Sequence, residues 1–301
     1  MRHGFLFTAF ANPANLAQCI THLKSTDSSF FIHVNKRVDT NADEYFSTLQ
    51  ADKDVHFLND RVAINWGGFT LTEAIIKLMR EGLKQPDIDY FHYLSDSCYP
   101  VKSIAGINEY FEKHKGKEFI AYEPLPNKIW PYGGLNRVNH YHLHDIINLK
   151  KNDFYWYFND YLDLLQMHLK LKRKQKGYFT QYYGGSCWWS LSREAVQYCI
   201  DTIDSMPGFF KRFRNTYCFE EICFQTLLVN SPFKEKIAND NLRYVEWAKR
   251  NGSIPANLDE TDFEKITTGP YLFARKFTYP VSTGLQKMVA AHLQEGLIEQ
   301  Q

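Results

Sequence analysis

The stretch YFHYLSDSCYPVKS, residues 90–103, carries the reading on which the fold turns. Tyr90 to Leu94 form a short aromatic and aliphatic run that stops at Ser95-Asp96-Ser97, and Ser103–Lys113 then bears apolar residues at helical spacing. A run of this kind between turn residues predicts a strand over Tyr90–Ser95. Working outward, His3–Phe10, Ser29–Val34 and Glu118–Tyr122 are further strands, and Asn12–Lys24 and Phe69–Leu83 have helical periodicity. This alternation predicts consecutive βα units and a mostly parallel central sheet flanked by helices. The pattern resumes with GGSCWWSLS (184–192) as a strand, then helices over Arg193–Thr202 and Phe219–Leu228. Between them, Pro124, Pro126, Pro131 and Gly133-Gly134 break regular structure ahead of a Tyr-, Trp-, His- and Lys-rich segment. The expectation is one domain over residues 1–301 with an insertion at about 123–180, two fused halves being the alternative.

Composition narrows the function classes. Apolar residues make up 44% of the 301 and aromatics 16%, enough to bury a large core. Lys plus Arg number 35 against 34 for Asp plus Glu, a balance with no global field to attract nucleic acid or an anionic membrane, so any partner must be read locally. No apolar stretch approaches the roughly 18 residues that suggest a membrane span. The six cysteines contain no C-x-x-C pair, so they read as reduced, buried thiols. Within the insertion, Phe154–Lys172 is expected as an amphipathic helix ending in Lys170, Lys172, Arg173, Lys174 and Lys176. A solvated helix end favoured by the macrodipole explains this cluster; contact with an anionic or lipid-linked acceptor is the second reading.

In a parallel α/β sheet ligands collect beyond the carboxyl ends of the strands. Four such ends are polar here: His33 to Asn35, Asn65-Trp66-Gly67-Gly68, Ser95-Asp96-Ser97 and Arg275-Lys276. Each alone has an ordinary explanation as a hydrogen-bonded His, a tight turn, a helix cap or a solvated pair. Together they offer the wall, the exposed backbone and the cations that a nucleotide requires.

The strings FFIHVNKR (30–37), NWGGFTLTEA (65–74), YFHYLSDSCYPVKS, GGSCWWSLSREAV (184–196), FEEICFQTLLVNSPF (219–233) and LFARKF (272–277) stand in one order along the chain. In that order they resemble the core-2/I-branching N-acetylglucosaminyltransferase and peptide O-xylosyltransferase family, glycosyltransferase family 14, with LFARKF leaning to the xylosyltransferases. The resemblance implies a GT-A-like nucleotide-sugar-binding fold, inversion at the anomeric carbon, a UDP-sugar donor and no divalent metal. It places His33 and Val34 at the uridine, where the family's following Asp is Asn35 here. Trp66, Gly67, Gly68 and Asp96 complete the expected donor side, and Arg275 and Lys276 are expected to hold the diphosphate. The register of the Glu221 segment, with Phe224 and Thr226 after it, implies Glu221 as the catalytic base; residue chemistry alone leaves Glu220 and Glu221 alike. Trp188 is expected as an acceptor platform, Arg137 as an acceptor contact by resemblance, and Trp247 as either site or core.

Two features bear on metals. A metal-using site wants paired carboxylates just after an apolar strand, where they reach a cation on the diphosphate. Asp87-Ile88-Asp89 precedes its strand, and only Asp96 follows it. His140, His142 and His144 alternate as on one face of a surface strand, but the sequence supplies them no Cys or evident acidic partner, so no metal is expected. Adjacent cations can meet the leaving group's charge instead.

The expected activity is transfer of N-acetylglucosamine or xylose from a UDP-sugar to an oligosaccharide or lipid-linked glycan, with no cofactor. A binding protein without turnover, a metal-dependent transferase and a glycosidase with paired carboxylates are the alternatives. Animal members of the family are Golgi membrane proteins, whereas this chain begins at its first strand. The expectation is a bacterial, cytoplasmic protein, peripheral at the inner face of the plasma membrane and acting on surface-polysaccharide precursors.

Overall fold

The computed structural model describes residues 1–10, 12–40, 44–147, 153–173 and 178–298. The strands are β1 (His3–Ala9), β2 (Ser28–Val34), β3 (Val55–Phe57), β4 (Tyr90–Ser95), β5 (Cys98–Pro100), β6 (Phe119–Ile120), β7 (Glu123–Leu125), β8 (Tyr182–Gly184), β9 (Trp189–Ser192), β10 (Arg243–Val245) and β11 (Phe273–Arg275). The helices are α1 (Pro13–Leu23), α2 (Glu44–Gln50), α3 (Phe69–Leu83), α4 (Ile104–Lys113), α5 (Asn136–Asn139), α6 (Asp153–His168), α7 (Arg193–Ser205), α8 (Phe209–Phe213), α9 (Cys223–Val229), α10 (Phe263–Thr268) and α11 (Thr283–Ile298).

Six strands form the central sheet in the order β3-β2-β1-β4-β9-β6. β1 to β4 run parallel, and β9 is antiparallel to both its neighbours. The mostly parallel α/β sheet expected from the βα cadence is therefore the architecture observed. β1, β2 and β4 are buried at every position, which is why they read as unbroken runs rather than as alternation. From β1 the chain builds outward through β2 and β3, then returns to lay β4 on the other side of β1. That reversal opens a crevice beyond the carboxyl ends of β1 and β4, the favoured ligand position in such sheets.

A second sheet, β10-β11-β5, folds over this crevice. β5 leaves β4 through the Asp96-Ser97 turn and pairs antiparallel with β11, bringing Arg275 opposite Cys98. Arg243 of β10 fastens the two sheets, donating to Ser190 Oγ and the Trp189 carbonyl of β9 at 2.7 Å each.

Several sequence expectations change. GGSCWWSLS is two strands, β8 and β9, separated by Gly185 to Trp188. Trp188 therefore lies in the break, and Trp189 opens β9. Gly185 is needed at this break, because a Cβ there would lie 2.0 Å from the Ala121 carbonyl oxygen. Phe219–Leu228 divides into a 3-10 turn at Phe219–Glu221 and α9, with the backbone departing from helix at Ile222. The three histidines lie on no strand: His140 ends α5 and all three are buried. Arg173 is buried as well, donating to the Arg212 and Arg214 carbonyls at 2.6 and 2.8 Å, while Lys174 and Lys176 lie outside the described residues.

Candidate active site

The crevice floor is built from the β1 and β4 ends. Asp96 is buried and its Oδ2 accepts the Phe10 and Asn12 amides at 2.6 and 3.2 Å, holding the turn into α1. Tyr93 of β4 bonds Thr8 of β1 through their hydroxyls at 3.0 Å and lays its ring against Trp188, centroids 5.1 Å apart and nearly coplanar. On the indole rests the Arg275 guanidinium, 4.5 Å from the ring centroid. Such stacking holds a planar cation in place and contributes on the order of 1 kcal/mol. No carboxylate among the described residues pairs with Arg275, and its buried Nε has no hydrogen-bond partner. A half-buried guanidinium with no carboxylate partner among the described residues is suited to meet an anion entering the crevice.

Trp188 thus serves a different place from the one expected of it. Its ring is 7% exposed, between Tyr93 and Arg275, and offers no open face to an acceptor sugar. Trp189 is fully buried against Tyr93 and Phe224.

Glu221 stands on the turn before α9, tied to the neighbouring segment by the Gly185 amide, which donates to the Glu221 carbonyl at 2.8 Å. Arg137, from α5 in the inserted segment, donates to Glu221 Oε2 at 2.6 Å. Its guanidinium is held from behind by Trp130, 3.9 Å from the ring centroid, and by Tyr217 at 5.0 Å. Oε1 of Glu221 accepts no hydrogen bond among the described residues, and the side chain is 27% exposed. One oxygen is anchored, and the other is unengaged on a partly exposed side chain. Glu220 has the opposite fate: it is buried, its Oε2 lacks a partner, and burial together with the Glu221 charge pushes its pKa up to about 8. Cys187 joins the two halves of the site, its thiol pushed up by burial and by Glu221 and Glu220, with Arg275 acting in the opposite direction.

Other predicted residues are placed less directly. His33 and Val34 are buried; His33 Nε2 accepts the Val62 amide at 2.8 Å, and burial brings its pKa down to about 4. Asn35 turns back on its own loop, donating to the Ile64 carbonyl at 3.1 Å and accepting the Arg37 amide at 3.1 Å. Gly67, at φ +75, and Gly68 are packed by the insertion: added Cβ atoms would meet His144 Nδ1 at 2.9 Å and Asp145 Oδ1 at 2.5 Å. Asp145 accepts the Thr70 amide at the start of α3, at 3.2 Å, so this helix end is already capped by a carboxylate. Trp66, expected beside the donor, meets Tyr217 edge-on at 6.0 Å and so stands on the Arg137 side. Lys276 Nζ donates to Ser253 Oγ at 2.9 Å, and Trp247, in the strand-to-loop segment before that serine, is 67% exposed and not core.

Asp87 and Asp89 lie at the amino end of β4 and bind Arg2 at 2.5 and 2.7 Å, a strand length of about 20 Å from the crevice. The histidines do have an acidic partner that the sequence did not reveal, since Asp163 bonds His140 Nδ1 at 2.5 Å from α6. Among the described residues no three His, Cys, Asp or Glu side chains are grouped to hold a metal ion. Tyr93, Trp130 and Tyr217 were missed as supports; their only signal was aromatic character beside polar strand or helix ends.

With this geometry, the family model described as Core-2/I-Branching enzyme matches residues 4–267. Xylosyltransferase 2 of Rattus norvegicus is 25% identical over 283 residues, covering 88% of this chain and 30% of its own length. Xylosyltransferase sqv-6 of Caenorhabditis briggsae is 23% identical, covering 90% of this chain and 34% of its own. The chain thus spans about a third of the length of these curated relatives. Among solved structures, mouse xyloside xylosyltransferase 1 in its apo form aligns with a TM-score of 0.39 and 11% identity, over 91% of this chain and 97% of that one.

Proposed function

This chain belongs to the Core-2/I-Branching enzyme family, a family of glycosyltransferases, and we propose that it moves a sugar from a UDP-sugar to an acceptor hydroxyl by a single inverting displacement without a divalent metal. The observation that carries this reading is the asymmetry of Glu221, with Oε2 fixed by Arg137 and Oε1 unengaged among the described residues. In the proposed step the acceptor oxygen attacks the anomeric carbon while its proton passes to Oε1, and the bond from that carbon to the UDP oxygen breaks. Negative charge then grows on the leaving diphosphate. Arg275, preorganised on Trp188, meets that charge without a metal, with Lys276 beside it in sequence. The acceptor approaches from the Arg137, Tyr217 and Trp66 side, where aromatic faces suit the apolar face of a pyranose.

Xylose and N-acetylglucosamine are the donor sugars proposed, xylose because the curated relatives carry that activity in their names. The test is incubation of the chain with UDP-xylose or UDP-N-acetylglucosamine and glycan acceptors in EDTA, following UDP release and product mass. Transfer at an undiminished rate in EDTA is the expected result. Loss in EDTA with rescue by manganese would overturn the metal-free step, and UDP binding with no product from any donor would make the chain a binding protein.

A further inference from the structure

The helix α6 is turned inside out relative to an ordinary surface helix. Its protein-facing side chains are Asn159, Asp163 and Gln166, spaced i, i+4, i+7. Asp163 accepts from Asn136 Nδ2 at 2.6 Å and pairs with His140 Nδ1 at 2.5 Å; Asn159 Oδ1 accepts the Leu143 amide at 3.1 Å; Gln166 exchanges two bonds with the Tyr141 backbone at 2.8 and 3.0 Å. The opposite face is apolar and exposed: Tyr157 71%, Tyr161 59%, Leu164 47%, Phe158 39% and Leu165 37%. At 3.6 residues per turn these five lie on one arc of about 120°. Contiguous apolar surface of this kind marks an interaction site rather than scattered exposure.

Charge selects among the possible occupants. Among the described residues, Lys170 and Lys172 follow this face at its C-terminal end. Lys170 and Lys172 are exposed, and Leu169 and Leu171 between and before them are more than half exposed. Tyrosine and leucine on one face with lysine at one end fits the boundary of a bilayer, where rings sit at headgroup depth and lysines meet anionic lipid. A protein partner of matching shape would need no such basic flank. No helix among the described residues is long and apolar enough to cross a membrane, so the contact is one of lying on the surface.

We propose that α6 docks this chain on an anionic lipid surface, with Tyr157, Tyr161 and Leu164 inserted and Lys170 and Lys172 on headgroups. The inference stands on the helix alone and does not depend on the transfer reading. If both hold, the protein-facing side of α6 is joined to the acceptor side, because Asp163 holds Asn136 next to Arg137. A lipid-linked acceptor would then enter from the bilayer side.

The test is co-sedimentation of the full chain with phosphatidylcholine vesicles, with and without phosphatidylglycerol, alongside sedimentation velocity of the chain alone. Binding to the anionic vesicles at least ~10-fold above the neutral ones, weakened by salt, is expected. The Tyr157→Ser, Tyr161→Ser, Leu164→Ser triple variant should lose about 10-fold or more of this binding with its unfolding midpoint unchanged. Lys170→Glu with Lys172→Glu should lose a similar factor through charge alone. Retention in the supernatant with both vesicles, or binding indifferent to both variants, would overturn the proposal. A dimer in solution that the triple variant dissolves would also overturn it, assigning the face to a second copy of this chain.

Discussion

Along β4 every side chain is buried, and an aromatic run was enough to reveal it; along α6 the residues turned to the protein are Asn, Asp and Gln, while tyrosines and leucines face outward. Periodicity states that a helix has two faces. It does not state which face meets the protein, because that depends on partners distant in sequence. For β4 the partners are apolar on both sides, so composition alone suffices. For α6 they are Asn136, His140, Tyr141 and Leu143, whose exposed amides, carbonyls and imidazole require polar answers. Among the described residues, the insertion that carries α6 pairs with the turn before α9 through Arg137 on Glu221.

Perturbing each region should produce different readouts. On the sheet side, Arg275→Ala removes the cation resting on Trp188 and should lower kcat by about 10²–10³-fold with little change in melting temperature. A loss below tenfold would mean that the diphosphate is held elsewhere. On the insertion side, Asp163→Leu strands Asn136 Nδ2 and His140 Nδ1 in a buried setting, which should cost about 2–3 kcal/mol in urea unfolding. An unchanged midpoint would show that the inverted face of α6 is not held by these bonds. At the junction, Arg137→Lys keeps the charge but loses the flat packing on Trp130 and should lower kcat about tenfold, with UDP affinity preserved.

A pH-dependent effect concerns Glu220. Its folded pKa lies above that of a free carboxyl, so the folded state holds more protons than the unfolded one between about pH 4.5 and 8. Stability from this group is complete below the lower value and declines as pH rises towards the upper one. Glu220→Gln should flatten this decline by up to about 1.4 kcal/mol per pH unit. Parallel pH–stability curves for the two proteins would refute the assignment.

Much of the fold was legible because β1, β2 and β4 are buried on both faces and α1, α3, α4 and α7 carry ordinary apolar stripes. The three-residue strands β3, β5, β7 and β10 have no periodicity to read. The site was legible in part. The strings containing Glu221 and Arg275 carried family register, whereas the role of Trp188 beneath Arg275 arises from β11 pairing with β5, a contact between residues far apart in the chain. Gly67 and Gly68 misled for a related reason: a glycine signals close approach without saying whether ligand or protein approaches, and here it is His144 and Asp145.

The central claim is that Glu221 takes the acceptor's proton. Glu221→Gln keeps the shape and an oxygen for Arg137 but removes the base, so transfer rate and UDP affinity should be measured on the same preparation in EDTA. The account predicts UDP affinity within about twofold of the unaltered chain and turnover reduced at least ~10³-fold. Turnover within tenfold of the unaltered chain would contradict it.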